Sequence, residues 1–115
     1  MVYPVYRKLE TVEDVIEYML FSALMLTKAF REKMARNEGG VVTTIRTLVK
    51  TALQVWRSNK ICSVRIDVLD KIEEAARERR KEFNEIIRRR LDRLIQDVER
   101  FKREYKLACR YPGVT

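Results

Sequence analysis

Residues 64–110 read VRIDVLDKIEEAARERRKEFNEIIRRRLDRLIQDVERFKREYKLACR, without a glycine or a proline. Apolar side chains recur at Leu69, Ile72, Ala76, Phe83, Ile87, Leu91, Leu94, Val98, Phe101, Tyr105 and Ala108, the three-and-four spacing that lines one face of an α-helix. From Ile87 onward the steps alternate four and three, a heptad pattern. The segment predicts one long C-terminal helix, stopped by Tyr111-Pro112-Gly113 because proline has no amide hydrogen to donate. Unbroken, it would run about 65 Å at 1.5 Å per residue, longer than a globule of this size is wide. The charged run Arg77-Glu78-Arg79-Arg80-Lys81-Glu82 interrupts the stripe, so the helix should either bend or break near residues 77–84 or protrude and pair with another chain. One long helix with oligomerisation is the favoured reading.

Two shorter helices are expected upstream. Thr11-Val12-Glu13-Asp14 places a hydroxyl at an N-cap and a carboxylate three residues on, a capping box. The helix it opens should run to about residue 36 and stop at Asn37-Glu38-Gly39-Gly40. Its middle is apolar nearly all round, through Met19, Leu20, Phe21, Ala23, Leu24, Met25 and Leu26, so it should be buried on more than one face. A second helix is expected over 42–57, with Ile45, Leu48, Val49, Ala52, Leu53 and Trp56 on one face and Arg46, Lys50 and Arg57 on the other. Residues 1–10, which include Pro4, should form an extended arm and do not read as a cleavable leader. The expectation for residues 1–115 is one all-α domain, a small helical bundle of two shorter helices and one long C-terminal helix.

Composition agrees with that class. Three glycines and two prolines in 115 residues are too few for the turns of a β-rich fold. The longest uncharged stretch, Tyr18 to Thr27, is half of the ~20 residues a membrane span needs. A cytoplasmic location, or one within a virion, is therefore expected. Asparagine and glutamine are scarce while arginine and glutamate abound, a bias of thermophile proteins, in which a bridge between Cys62 and Cys109 could persist inside a cell.

The reactive constellations of enzymes are missing. Histidine is absent, which removes the commonest general base and transition-metal ligand. Cys62 and Cys109 lack zinc-site spacing and companions, and Gly39-Gly40 is no phosphate-binding loop. Asp67, Asp70, Glu73 and Glu74 cluster, but acids at a helix start are stabilised by the helix dipole without any metal. The chain is expected to be no enzyme and to use neither cofactor nor metal.

Charge is the positive signal. There are 25 basic and 17 acidic residues, a formal net charge of +8, which attracts polyanions through long-range steering and counterion release. Seventeen of the basic residues lie from Arg57 to Arg110. On a helical projection Arg89, Arg93, Arg100 and Arg103 fall within about 40° of one line, opposite the Ile87–Tyr105 stripe. The pattern proposes nucleic-acid contacts at Arg77, Arg80, Lys81, Arg89, Arg93, Arg100 and Arg103, and an oligomer interface at Ile87, Leu91, Leu94, Val98, Phe101 and Tyr105. Small basic helical subunits occur in nucleoprotein assemblies such as CRISPR effector complexes and archaeal-virus particles; the chain is similar to them in size and character, without residue correspondence. The expected role is backbone binding within such an assembly, as a homo-oligomer or a subunit of a larger complex. The alternative is a structural adaptor that oligomerises through apolar helix faces, with charges such as the i,i+4 pairs Glu73–Arg77, Glu85–Arg89 and Glu99–Arg103 serving only a solvated exterior.

Overall fold

The computed structural model describes residues 9–32 and 38–109; the extended arm expected over 1–10 falls mostly outside them. Four α-helices follow in order: α1 (Val12–Arg31), α2 (Glu38–Asn59), α3 (Val68–Arg79) and α4 (Glu85–Ala108), with a 3₁₀ turn at Arg80–Glu82. The chain is all-α, and no described helix is long and apolar enough to cross a membrane.

Local chemistry accounts for the boundaries. The Thr11 hydroxyl accepts the Asp14 amide at 3.0 Å, and the Asp14 carboxylate accepts the Thr11 amide at 3.2 Å, closing the expected capping box. Helix α1 ends at Arg31, short of residue 36, where Glu32 leaves helical geometry after donating its amide to Lys28 at 3.0 Å. Gly39-Gly40 does not stop a helix; it lies in the first turn of α2. First-turn amides have no intrahelical acceptor in any case, and the Thr43 and Thr44 hydroxyls donate to the Gly39 and Gly40 carbonyls at 3.1 and 3.0 Å. Lys60 then takes a left-handed conformation, φ 52°, and donates its amide to Trp56 to close α2.

The single long C-terminal helix is replaced by an antiparallel hairpin, α3 and α4. Phe83 turns extended, φ −112° and ψ 159°, and Asn84 caps α4 by accepting the Ile87 amide at 3.1 Å. The Arg88 guanidinium donates back to the Phe83 carbonyl at 2.7 Å. A cap of this kind restarts a helix without glycine or proline. Folding back keeps the longest dimension at 43 Å.

Each helix packs on two others: α1 on α2 and α3, and α4 on α2 and α3. The result is a square bundle with α1 and α4 on its diagonal. Arg90 reaches the Gly39 carbonyl, Asp97 meets Arg46 and Glu104 meets Arg57, so partners advance together and α2 runs parallel to α4. Arg80 meets Asp92, Arg77 meets Glu99 and Glu73 meets Lys102, which sets α3 antiparallel to α4. The core joins Ile16, Leu20, Phe30, Val49, Trp56, Leu69, Ile72 and others. It also contains Leu91, Leu94, Val98 and Phe101, at most 2% exposed, with Ile87 and Tyr105 packed against it. The heptad stripe assigned above to an oligomer interface is thus the inner face of α4, covered by the chain's own α2 and α3. The heptad spacing of α4 arises from burial within one chain, which uses the same 3.5-residue repeat as a coiled coil.

Arg79 joins four segments at one end of the bundle. Its residue is 5% exposed, its guanidinium donates to the Phe30 carbonyl and to Glu38 at 2.7 Å, and its Nε lies 3.1 Å from Glu82. The charge also lies over the rings of Phe30 and Phe83, 4.7 and 4.9 Å from their centroids. Those rings stack on each other at 5.5 Å.

Candidate nucleic-acid interface

Helix α4 occupies an edge of the bundle, and three rows of charge run along it. Toward α2, Asp97 binds Arg46 at 3.1 Å and Glu104 takes both Nε and Nη2 of Arg57, at 2.9 and 2.6 Å. Toward α3, Asp92 takes a forked pair from Arg80 at 2.6 and 3.2 Å, and Glu99 binds Arg77 at 2.6 Å. Lys102 bridges Asp70 and Glu73 at 2.7 and 2.9 Å. Planar two-point contacts of this kind are a property of guanidinium that ammonium lacks.

The pairing perturbs the acids. Hydrogen bonds from Arg57 and Arg80 hold the carboxyls of Glu104 and Asp92 below their ordinary values. Burial by itself pushes Glu73 up, but hydrogen bonds from Lys102 and Arg77 reverse that and leave it lowered. The Lys102 ammonium is raised, first by its hydrogen bond to Asp70. The acidic cluster near the start of α3 is engaged in the same way: Asp67 with Arg65 at 3.1 Å, Asp70 and Glu73 with Lys102.

The third row points outward. Arg89, Arg93, Gln96, Arg100 and Arg103 are exposed, along about 21 Å of helix from Arg89 to Arg103. Arg89 is paired with Glu85 at 2.9 Å, although both side chains are roughly three-quarters exposed. Arg93, Arg100 and Arg103 form no ion pair among the described residues. The seven arginines and lysines singled out from sequence therefore divide. Arg77 and Arg80 belong to the α3 seam, Lys81 is exposed on the 3₁₀ turn, and the remaining four share the outer face.

Sequence reasoning put Arg46, Lys50 and Arg57 on one face of the second helix without assigning them to the site, and it missed Lys102. Arg46, Arg57 and Lys102 neutralise acids of α3 and α4, and Lys50 is exposed on α2 one turn beyond Arg46. Arg46, Lys50 and Arg57 lie within about 40° of one line on the projection of α2, a signal available beforehand. A separate cleft of about 360 Å³ lies between α1 and α3, lined by Glu17, Tyr18, Phe21, Arg65, Asp67 and Lys71 among others. No family model matches this chain, and comparison with curated proteins and with solved structures found no match.

Proposed function

We propose that this chain is a non-enzymatic helical subunit that binds nucleic-acid backbone through the outer face of α4, independently of sequence, within a nucleoprotein assembly. The observation that carries this reading is the engagement of Asp92, Asp97, Glu99 and Glu104 by cations of α2, α3 and the 3₁₀ turn. Acids interleaved with arginines along one helix would normally cancel their field. Here they are satisfied sideways, and Arg93, Arg100 and Arg103 are left facing outward. Three or four phosphates neutralised by such a face correspond to a log–log salt slope of about −3.

The test is binding to unrelated DNA and RNA fragments across a salt series, for the native chain and for the triple variant R93E, R100E, R103E. The native chain should bind with the steep slope whatever the sequence. The triple variant should retain its helical signal, since all three side chains are exposed, and lose binding by more than about tenfold. Absence of native binding at low salt would overturn the reading and select the adaptor alternative.

A further inference from the structure

The two cysteines of the chain are joined to each other, with Cα atoms 5.4 Å apart. The bond ties the connection between α2 and α3 to the C-terminal end of α4. The other ties on these turns are ion pairs at partly exposed positions, Glu104 with Arg57 and Lys102 with Asp70 and Glu73, and past Tyr105 the burial is slight. Phe101 is the last fully buried residue of α4, and Lys106, Leu107 and Ala108 are exposed, Leu107 by 68%. Beyond Phe101 the inward side chains are Tyr105 and Cys109, one turn apart. The Tyr105 hydroxyl donates to the Cys62 carbonyl, with the Val64 carbonyl 3.0 Å away, and its ring packs 5.7 Å from Trp56. Both of these contacts go to the segment that Cys62 anchors. That segment is lightly held as well: Cys62, Ser63 and Arg65 are exposed, and Val64 is its one fully buried side chain.

We infer that the Cys62–Cys109 disulfide is a redox-sensitive clamp on the last turns of α4, setting how much of the basic outer face is held rigid. Its relevance to binding rests on the proposed function; its effect on structure does not. A dithiol reductant supplies the two electrons. One of its thiolates attacks the sulfur of Cys62, the more exposed partner, and Cys109 leaves as a thiolate that takes up a proton. The second thiol of the reductant then attacks the mixed disulfide, releasing Cys62 and leaving the reductant as a cyclic disulfide. With the covalent tie gone, only Tyr105 and the partly exposed Glu104–Arg57 pair hold the end, and the turn bearing Arg103 and Lys106 frays by local unfolding.

Hydrogen exchange of the oxidised chain, of the dithiol-reduced chain and of the C62S/C109S variant tests this directly. Amide protection at residues 102–109 should fall about tenfold or more on reduction, while α1 and the middle of α2 stay protected. The double serine variant should match the reduced chain. Unchanged protection at residues 102–109 would overturn the proposal. So would loss of protection throughout the chain, which would make the bond a global staple. In parallel, binding of the oxidised and reduced chains to one random-sequence DNA duplex should show the salt slope shrinking by about one on reduction. Local fraying with an unchanged slope would keep the clamp structurally but overturn its link to the basic face. If the oxidised chain does not bind the duplex at all, the proposed function and that link fall together, and the exchange data alone decide the clamp.

Discussion

Asp97 of α4 accepts a hydrogen bond from Arg46 of α2 at 3.1 Å while being only 8% exposed, so one charged pair both joins two helices and removes an acid from the basic face. These two roles predict opposite effects of one substitution. Asp97→Ala should cost about 2 kcal/mol, because it strips a half-buried guanidinium of its partner. The same change removes a negative charge beside Arg93 and Arg100 and should tighten nucleic-acid binding at low salt. Chemical denaturation and a binding titration on one preparation check both. Weaker binding with unchanged helicity would contradict the assignment of the face.

Arg79 makes a second, purely structural prediction. Arg79→Ala takes the guanidinium donor from the Phe30 carbonyl and from Glu38 and opens space beside the stacked Phe30 and Phe83 rings. A loss of roughly 3 kcal/mol in denaturant unfolding is expected. Arg79→Lys should recover part of it, since an ammonium cannot serve both partners in the geometry of a planar fork. A change below about 0.5 kcal/mol in the alanine variant would place the site among ordinary surface positions.

The legible and illegible parts of this fold separate by range. The Thr11 box and the inward stripe of α4 could be read from sequence because each depends on spacing within one helix. The break at Phe83-Asn84 was harder, because nothing there forbids a helix: Asn84 caps, and Phe83 is drawn to Phe30 some fifty residues earlier. Arg79 did leave a trace, since Ile72, Ala76, Arg79 and Phe83 continue one helical line on which a charge needs a buried partner. Which arginines are free was legible only within a helix: the spacing offered Glu73 to Arg77 and Glu85 to Arg89, and both pairs form. The same spacing offered Glu99 to Arg103, and only the antiparallel turn of α3 onto α4 brings Glu99 to Arg77 instead.

The seams also predict acid sensitivity. Asp92, Glu73 and Glu104 have lowered folded-state values, so their stabilisation is fully present above the ordinary carboxylate range and is lost as pH falls through the lowered values. Lys102 is raised, so its contribution is complete below the ordinary lysine value and disappears as pH rises past the raised one. Stability should be flat through neutral pH and decline on both sides. Denaturant midpoints measured across pH would show it, and Glu104→Gln should flatten the acid limb. An acid limb unaltered in that variant would mean the Arg57 pair adds nothing measurable.

Finally, the division of the arginines can be tested one side chain at a time. Arg77 is held between Glu73 and Glu99, and Arg80 is forked onto Asp92; to meet a phosphate, either must first give up its carboxylates. Arg93 and Arg100 form no ion pair among the described residues, the nearby Glu104 being forked onto Arg57, and they face the same side one and three turns beyond Arg89. Arg93→Ala and Arg100→Ala should therefore each reduce the salt slope of binding by about one, whereas Arg77→Ala and Arg80→Ala should change affinity by about twofold or less. Losing Arg80 also frees the Asp92 carboxylate beside Arg89 and Arg93, which could weaken binding through the field alone. The slope distinguishes the cases: a lost phosphate contact lowers it, while a nearby uncompensated acid shifts affinity at a nearly constant slope. Equal slopes lost at all four positions would show that the seams open on binding and that polyanion contacts displace the carboxylates.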